Sequence, residues 1–288
     1  MDERSARRKR LLSEVEKLLP QVKNKQALYY VALYLIADLK RELRYPIVES
    51  IQAYRKALAA SRTQDGRDTY DSIQCYVCLA PLEVAQGDID EAYKLIKKGD
   101  ELFQSHDKDI DSLPYLEIPD SLANIKLQPL PLEVLITRGN VEAQRKEYEA
   151  SLKSFSEAAR FLSGWWGPSG AVAPVLNQAD VLKKMKKNTE ATRPVLEHLR
   201  LVDAQIITSP NTGLRQDEGI YYIALWFYLD KDIANARKAI NIGLKKRQDH
   251  APRNKSVADL MDSAIPELDK TGKIDSWEKS RSWNTLQH

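Results

Sequence analysis

Five times along this chain a small residue is followed, four positions later, by a large apolar one: Ser50/Tyr54, Ala92/Ile96, Ser151/Phe155, Thr192/Leu196 and Ala236/Ile240. Each pair also has an apolar residue sixteen positions upstream, at Tyr34, Tyr76, Leu135, Leu176 and Ile220. A spacing of four puts both members of a pair on one helical face. The upstream residue then belongs to a preceding helix across a turn. Such a hairpin cannot bury its apolar face alone, so copies of it must stack. Only 11 glycines occur in 288 residues, and apolar residues seldom alternate with polar ones over strand lengths, which argues against a sheet. The repeat therefore predicts an all-α solenoid in which units share one elongated core.

The helices can be placed by periodicity and by their end signals. A lead-in helix is expected over 5–18, ending at Pro20, with Leu11, Leu12, Val15, Leu18 and Leu19 on one face. The first hairpin runs through Leu28, Val31, Leu35 and Leu39, and its partner helix follows Pro46 to about Ala60. The second occupies 70–86 and 89–103, with Gly87-Asp88 as the turn and a kink expected at Pro81. The third, fourth and fifth are expected at 131–145 with 147–162, 174–187 with 189–207, and 214–229 with 232–247. Residues 253–269 read as a terminal capping helix, followed by a polar tail carrying Trp277 and Trp283. The anchors lie about 41 to 44 residues apart except between Ala92 and Ser151, where the gap is about 59. An insertion at 105–131, with Pro114, Pro119, Pro129 and Pro131, accounts for the excess. The organisation read from sequence is thus a lead-in helix at 1–20, repeats over 21–248, and a cap with tail at 249–288.

The stretch Gly87-Asp88-Ile89-Asp90-Glu91-Ala92 resembles the turn and second-helix start of the tetratricopeptide repeat (TPR) superfamily. Lys231-Asp232-Ile233-Ala234-Asn235-Ala236 follows the same pattern, and the segments at 146–151 and 187–192 follow it loosely. Seven residues past each anchor stand Ala57, Gly99, Ala158, Leu199 and Gly243, small in four of five, as close helix packing in that family requires. The resemblance covers roughly 28–248; the period is longer than the family's, and the proline that ends each repeat is missing. It implies a right-handed α-solenoid of about five antiparallel helical hairpins with extra helices at both ends. It also implies a function: binding a partner peptide or helix in a concave groove. Groove-facing positions would include Leu35, Leu39, Val77, Pro81, Ile136, Asn140, Asn177, Val181, Tyr221 and Leu225. The family's lysine and asparagine clamp for a C-terminal carboxylate is absent, since Leu35, Leu39, Val77 and Pro81 hold those places.

Several features could carry a site. Tyr221, Leu225 and Tyr228 share one face of the last hairpin and would serve as a peptide platform beside Tyr222; the alternative is core packing. Trp165 and Trp166, in a Gly/Pro loop, are candidate partner anchors, since Trp is favoured at binding hot spots. Asn140, Asn177 and Gln178 would fix the backbone of a bound peptide. Cys75 and Cys78 fit half a zinc site, but His106, His198, His250 and His288 are scattered, so buried helix cysteines are the better reading and no metal or other cofactor is expected. The basic clusters at 7–10, 183–187 and 245–247 read as solvated faces, two of them at helix C-termini where cations suit the dipole. They leave an RNA- or DNA-associated helical-repeat protein as the alternative, beside a regulatory module of a larger complex switched by a peptide.

Formal net charge is +3, which offers no case for a dedicated nucleic-acid or membrane-surface protein. The longest apolar run, Ala27 to Ala37, falls far short of the roughly 20 residues that span a bilayer. No phosphate-cradling glycine loop, paired metal-binding histidines or nucleophile elbow occurs, so no enzymatic chemistry is expected. The reading is an intracellular adaptor or scaffold, cytoplasmic rather than nuclear, that recruits a protein or peptide partner.

Overall fold

The computed structural model describes residues 3–106, 130–204, 210–249 and 255–278. The expected insertion at 105–131 lies almost wholly outside them, as do His250, Trp283 and His288. In chain order the helices are α1 (Glu3–Val22), α2 (Gln26–Glu42), α3 (Ile47–Ser61), α4 (Tyr70–Gln86), α5 (Ile89–His106) and α6 (Leu130–Gln144). They continue as α7 (Tyr148–Trp166), α8 (Val172–Lys184), α9 (Asn188–Ala204), α10 (Pro210–Leu229), α11 (Ile233–Asp249), α12 (Lys255–Thr271) and the short α13 (Asp275–Glu278). A single 3-10 turn, Pro168–Ala171, leads into α8, and no strand occurs among the described residues. The all-α, hairpin-by-hairpin solenoid organisation read from the repeat is what the chain adopts. None of the described helices is long and apolar enough to cross a membrane.

The repeat is sharpest at its turns. The helix pairs α2/α3, α4/α5, α6/α7, α8/α9 and α10/α11 are each joined through one residue in the left-handed conformation: Arg44, Gly87, Lys146, Lys186 and Lys231. Each turn carries the same two backbone bonds. The left-handed residue donates its N–H to the carbonyl three back, and the next residue donates to the carbonyl five before it, as in Lys231 to Tyr228 (3.0 Å) and Asp232 to Phe227 (2.9 Å). Both bonds satisfy carbonyls that the helix end leaves orphaned. Only one of the five positions is glycine, so sequence signals show the turn plainly at Gly87 alone. Asp88 and Asp232 then accept the N–H groups of Glu91 and Asn235 (3.0 and 3.1 Å), capping α5 and α11.

The chain divides into two units, 1–151 and 152–288. In the first, apolar faces are buried between neighbours in sequence. Leu12 and Val15 of α1 meet Ile36 and Leu39 of α2. Tyr30, Leu33 and Ala37 meet Ile51, Tyr54 and Leu58 of α3, together with Tyr76 and Leu79 of α4. Ile73, Val77 and Ala80 meet Ala92 and Ile96 of α5 and Val134 and Val141 of α6. Each such side chain contributes about 1.5–3 kcal/mol when fully removed from water. In the second unit one continuous cluster links Leu176 of α8, Val195 and Leu199 of α9, Ile220 and Phe227 of α10, Ile240 of α11, Met261 and Leu268 of α12, and Ile274 and Trp277.

Four of the five small anchors, Ser50, Ala92, Ser151 and Ala236, are buried. The fourth expected pair, Thr192/Leu196, is half-buried, and Ala191/Val195 takes its place in the core. The turn explains the shift: Ala191 stands five residues past Lys186, as Ala92, Ser151 and Ala236 stand five past Gly87, Lys146 and Lys231. Two further expectations are corrected. α1 runs through Pro20 rather than ending before it, because loss of one N–H near an exposed helix end leaves only one carbonyl to hydrate. Trp165 and Trp166 belong to the last turn of α7 rather than to a loop; the chain leaves the helix at Gly167, whose φ is 69°.

Candidate functional site

In the second unit the hairpin α8/α9 meets the hairpin α10/α11 through a polar and aromatic seam. The Trp226 indole N–H donates to Asp180 Oδ1 at 2.8 Å, an offset of 46 residues. Lys183 Nζ lies 3.7 Å from the centroid of the same indole and 2.8 Å from Asp230 Oδ1. α8 and α10 therefore run parallel in a fixed register, and that register sets Asn177 level with Tyr222 and Ile223, one turn nearer the helix starts. Ile223 points into the core, while Tyr222 is 37% exposed. Asn177 and Gln178 are half-buried, and their amides make no side-chain hydrogen bond among the described residues. Each amide carries two donors and an acceptor. The result is a surface with an aromatic ring, the spare amide of Asn177 and a cation held in place over an indole.

The nine residues singled out from sequence separate into groups. Asn177 and Tyr222 come together on the α8–α10 surface, whereas Gln178, two residues from Asp180, lies about 160° away around α8 on its other flank. Tyr221, Leu225 and Tyr228 do not belong to it: they are buried, and the peptide platform assigned to them is corrected to core. What covers them is the chain's own segment after α12. The Trp277 ring packs edge-on against Tyr221 and Tyr228, with centroids 5.3 and 5.8 Å apart. The Trp277 indole N–H donates to the Leu260 carbonyl at 2.8 Å, and the Ile274 N–H donates to Tyr228 Oη at 2.8 Å. Tyr221 Oη, buried beneath this cover, has no hydrogen-bond partner among the described residues. Sequence reasoning treated Trp277 as part of a polar tail; its only signal was a lone pair of apolar residues, Ile274 and Trp277, one helical turn apart. Asn140 is exposed on α6 in the first unit. The side chains of Trp165 and Trp166 lie outside the described residues.

The first unit holds a different cluster between α2, α3 and α4. Tyr34 Oη lies 3.4 Å from Cys78 Sγ, Tyr54 Oη donates to Asp38 Oδ1 at 3.0 Å, and Arg41 donates to the same carboxylate oxygen. Tyr30 Oη donates to the Asp71 carbonyl at 3.0 Å. Burial pushes the hydroxyls of Tyr30, Tyr34 and Tyr54 and the Cys75 thiol above their ordinary ranges, so they stay protonated donors. Cys75 and Cys78 are both buried and not joined in a disulfide. Such a network fixes how three helices meet rather than exposing chemistry to a substrate. Among the described residues no group of three or more His, Cys, Asp or Glu side chains is placed to hold a metal ion.

The basic clusters are drawn into ion pairs: Arg8 with Glu42 (2.6 Å), Lys183 with Asp230, Lys187 with Glu190 (3.6 Å) and Lys246 with Asp203 (3.5 Å). Two of them are seam residues rather than a free positive face. His198 is buried on α9 with Nε2 2.9 Å from the Pro168 carbonyl, tying the helix to the 3-10 turn. Burial lowers its pKa below the ordinary value, with the Pro168 hydrogen bond acting against the shift.

No protein-family model matches the chain, and no curated protein matches it significantly. Among solved structures it is similar to BtubC (BKLC) from P. vanneervenii, with a TM-score of 0.54 at 12% identity, over 85% of this chain and 90% of that one. It is also similar to the apo form of the quorum sensor NprR from B. thuringiensis (TM-score 0.49, 17% identity, 94% of this chain and 75% of that one). NprR in complex with its cognate peptide NprX gives a TM-score of 0.47 at 17% identity, over 96% of this chain and 72% of that one. The BtubC likeness shows a shared fold.

Proposed function

We propose that this chain is a non-catalytic adaptor of tetratricopeptide type, and that the α8–α10 surface takes an extended segment of a partner protein. The observation that carries the reading is the pairing of the half-buried, unbonded amide of Asn177 with the partly exposed ring of Tyr222 on the neighbouring parallel helix. An extended peptide presents N–H and C=O groups alternately, and side-chain amides can meet both. An aromatic ring beside them supplies a contact of large area at low entropy cost. The Asp180–Trp226–Lys183 seam below holds the two helices in register, so the surface is formed before the partner arrives.

A nucleic-acid reading fares less well, because Lys183 and Lys246 are drawn to carboxylates on neighbouring helices. The test is selection of peptides from a displayed library on the purified chain, followed by titration of the winners. Asn177→Ala and Tyr222→Ala should each weaken the selected peptides by about tenfold or more, a loss of about 1.4 kcal/mol. Binding that neither substitution changes places the partner surface elsewhere and refutes the assignment.

A further inference from the structure

The first unit carries a second recessed surface, on the opposite helices of its hairpins. An open cleft of about 400 Å³ lies between α3 and α5, lined by Arg55, Arg62, Lys94 and Lys98 at its rim and by Leu58, Leu79 and Leu95 at its floor. Tyr76 closes one end. Its hydroxyl lies 3.4 Å from Arg62 Nη2, and Lys98 Nζ stands 5.3 Å from its ring centroid.

The rim cations already show what they hold well. Asp68, with a side chain only 10% exposed, receives Arg62 Nε at 2.8 Å and Lys98 Nζ at 2.6 Å. Burial alone would raise the Asp68 carboxyl, yet the hydrogen bonds from Lys98, Arg62 and Tyr76 hold it below the usual range. Glu83, nearly buried on α4 and outside the cleft lining, takes Arg55 Nη2 at 2.8 Å. Two internal carboxylates are therefore seated by the rim cations. Lys94 stands apart from this arrangement: its side chain is 74% exposed and its ion pair with Glu91 is loose, at 3.8 Å. Arg55 is also more than half exposed, so both cations face the cleft with donors to spare.

We propose that this cleft is a docking site for an acidic segment of a partner protein, with carboxylates separated by apolar side chains. Arg55 on α3 and Arg62, the extended residue that caps its C-terminal end, stand about 10 Å apart along the helix axis. Carboxylates four residues apart in an extended chain share one face at about 13 Å, a difference the long Arg side chains take up, and the residue midway between them shares that face. An apolar side chain between them would lie over Leu58 and Leu95. A nucleic acid fits less well. Tyr76 is buried under Lys98 and offers no free face for a base, and Asp68, Glu83 and Glu91 interrupt the positive rim that a continuous run of phosphates requires. The inference is independent of the α8–α10 surface and survives its failure.

The test is fluorescence polarisation of the full chain with a labelled short peptide of glutamates interspersed with leucines, with the glutamine-for-glutamate peptide and an oligo-uridylate of equal charge as comparisons. Saturable binding of the acidic peptide is expected, weakened at least tenfold by Lys94→Glu, weakened again by added salt, and left unchanged by Lys245→Glu on the second unit. Lys98→Gln, which keeps a donor for Asp68, should weaken binding about threefold. Far-UV circular dichroism and melting of each variant confirm that the helices persist. Equal binding of the glutamine peptide, tighter binding of the oligo-uridylate, no effect of Lys94→Glu, or no saturation at millimolar peptide would each overturn the proposal.

Discussion

Trp277→Ala removes the largest fully buried side chain in the structure and uncovers the aromatic face of α10. Three losses combine. The indole leaves a cavity, for which Trp or Phe truncation in a core costs about 3–5 kcal/mol. Its two edge-on contacts with Tyr221 and Tyr228 vanish, each worth about 0.5–1.5 kcal/mol and partly counted in the cavity figure. The Leu260 carbonyl also loses its donor. A loss of about 4 kcal/mol is expected; with a urea slope of about 2 kcal/mol/M the midpoint falls by about 2 M. The assay is a urea titration followed by far-UV circular dichroism, together with hydrogen exchange at α10 and α12 to locate the loss in the second unit. Trp277→Phe, which keeps a ring but no donor, should lose about half as much. The companion change Tyr221→Phe deletes a buried hydroxyl that has no partner, so it should leave stability unchanged or raise it by about 1 kcal/mol. A midpoint shift below about 0.5 M for Trp277→Ala, or a marked loss for Tyr221→Phe, would refute the burial account of this face.

Four further outcomes follow from the same packing. Replacing Lys146, Lys186 and Lys231 together by glycine relieves three left-handed backbones; each gains about 1–2 kcal/mol of strain less about 0.4–1 kcal/mol of unfolded-chain entropy, so the melting temperature should rise. Gly243→Ala drives a methyl to 2.5 Å from Met261 Cε and 3.1 Å from Ile220 Cγ2, and the stiff Ile220 makes a loss of about 1–2 kcal/mol the expected result of chemical denaturation. Gly99→Ala meets Tyr76 Cβ at an ordinary 3.4 Å and should be tolerated or mildly stabilising. His198 has a pKa below 6.5 in the folded chain because burial disfavours its charged form. The unfolded chain then binds more protons below 6.5, so its contribution is full above that pH and is lost as pH falls toward the folded value. Melting at pH 7 and pH 5 should show a smaller drop for His198→Gln than for the unaltered chain.

The hairpins were legible because the sequence repeats what packing requires: a small residue where two helices approach, a large one a turn later, and Gly243 where a side chain would clash. The turns were legible only at Gly87, since Arg44, Lys146, Lys186 and Lys231 adopt the same conformation without the residue that advertises it. That is why the fourth pair was placed one residue late. The α10 face misled for another reason. Tyr221, Leu225 and Tyr228 form an aromatic stripe whether it meets a ligand or a core, and what decides is Trp277, some fifty residues further along the chain and inside a stretch of polar composition. The Asp180–Trp226–Lys183 seam has no local signature either, because it depends on how two hairpins align. The cleft between α3 and α5 is likewise a product of stacking, assembled from cations that in sequence look like ordinary solvated faces.

The central functional claim, that the α8–α10 surface receives a partner segment, is tested most directly by hydrogen exchange of the whole chain with and without a library-selected peptide. Slowed exchange confined to Asn177–Lys183 and Tyr222–Asp230, abolished by Asn177→Ala, is the predicted result. Protection centred on any other helices, or none at saturating peptide, would contradict it.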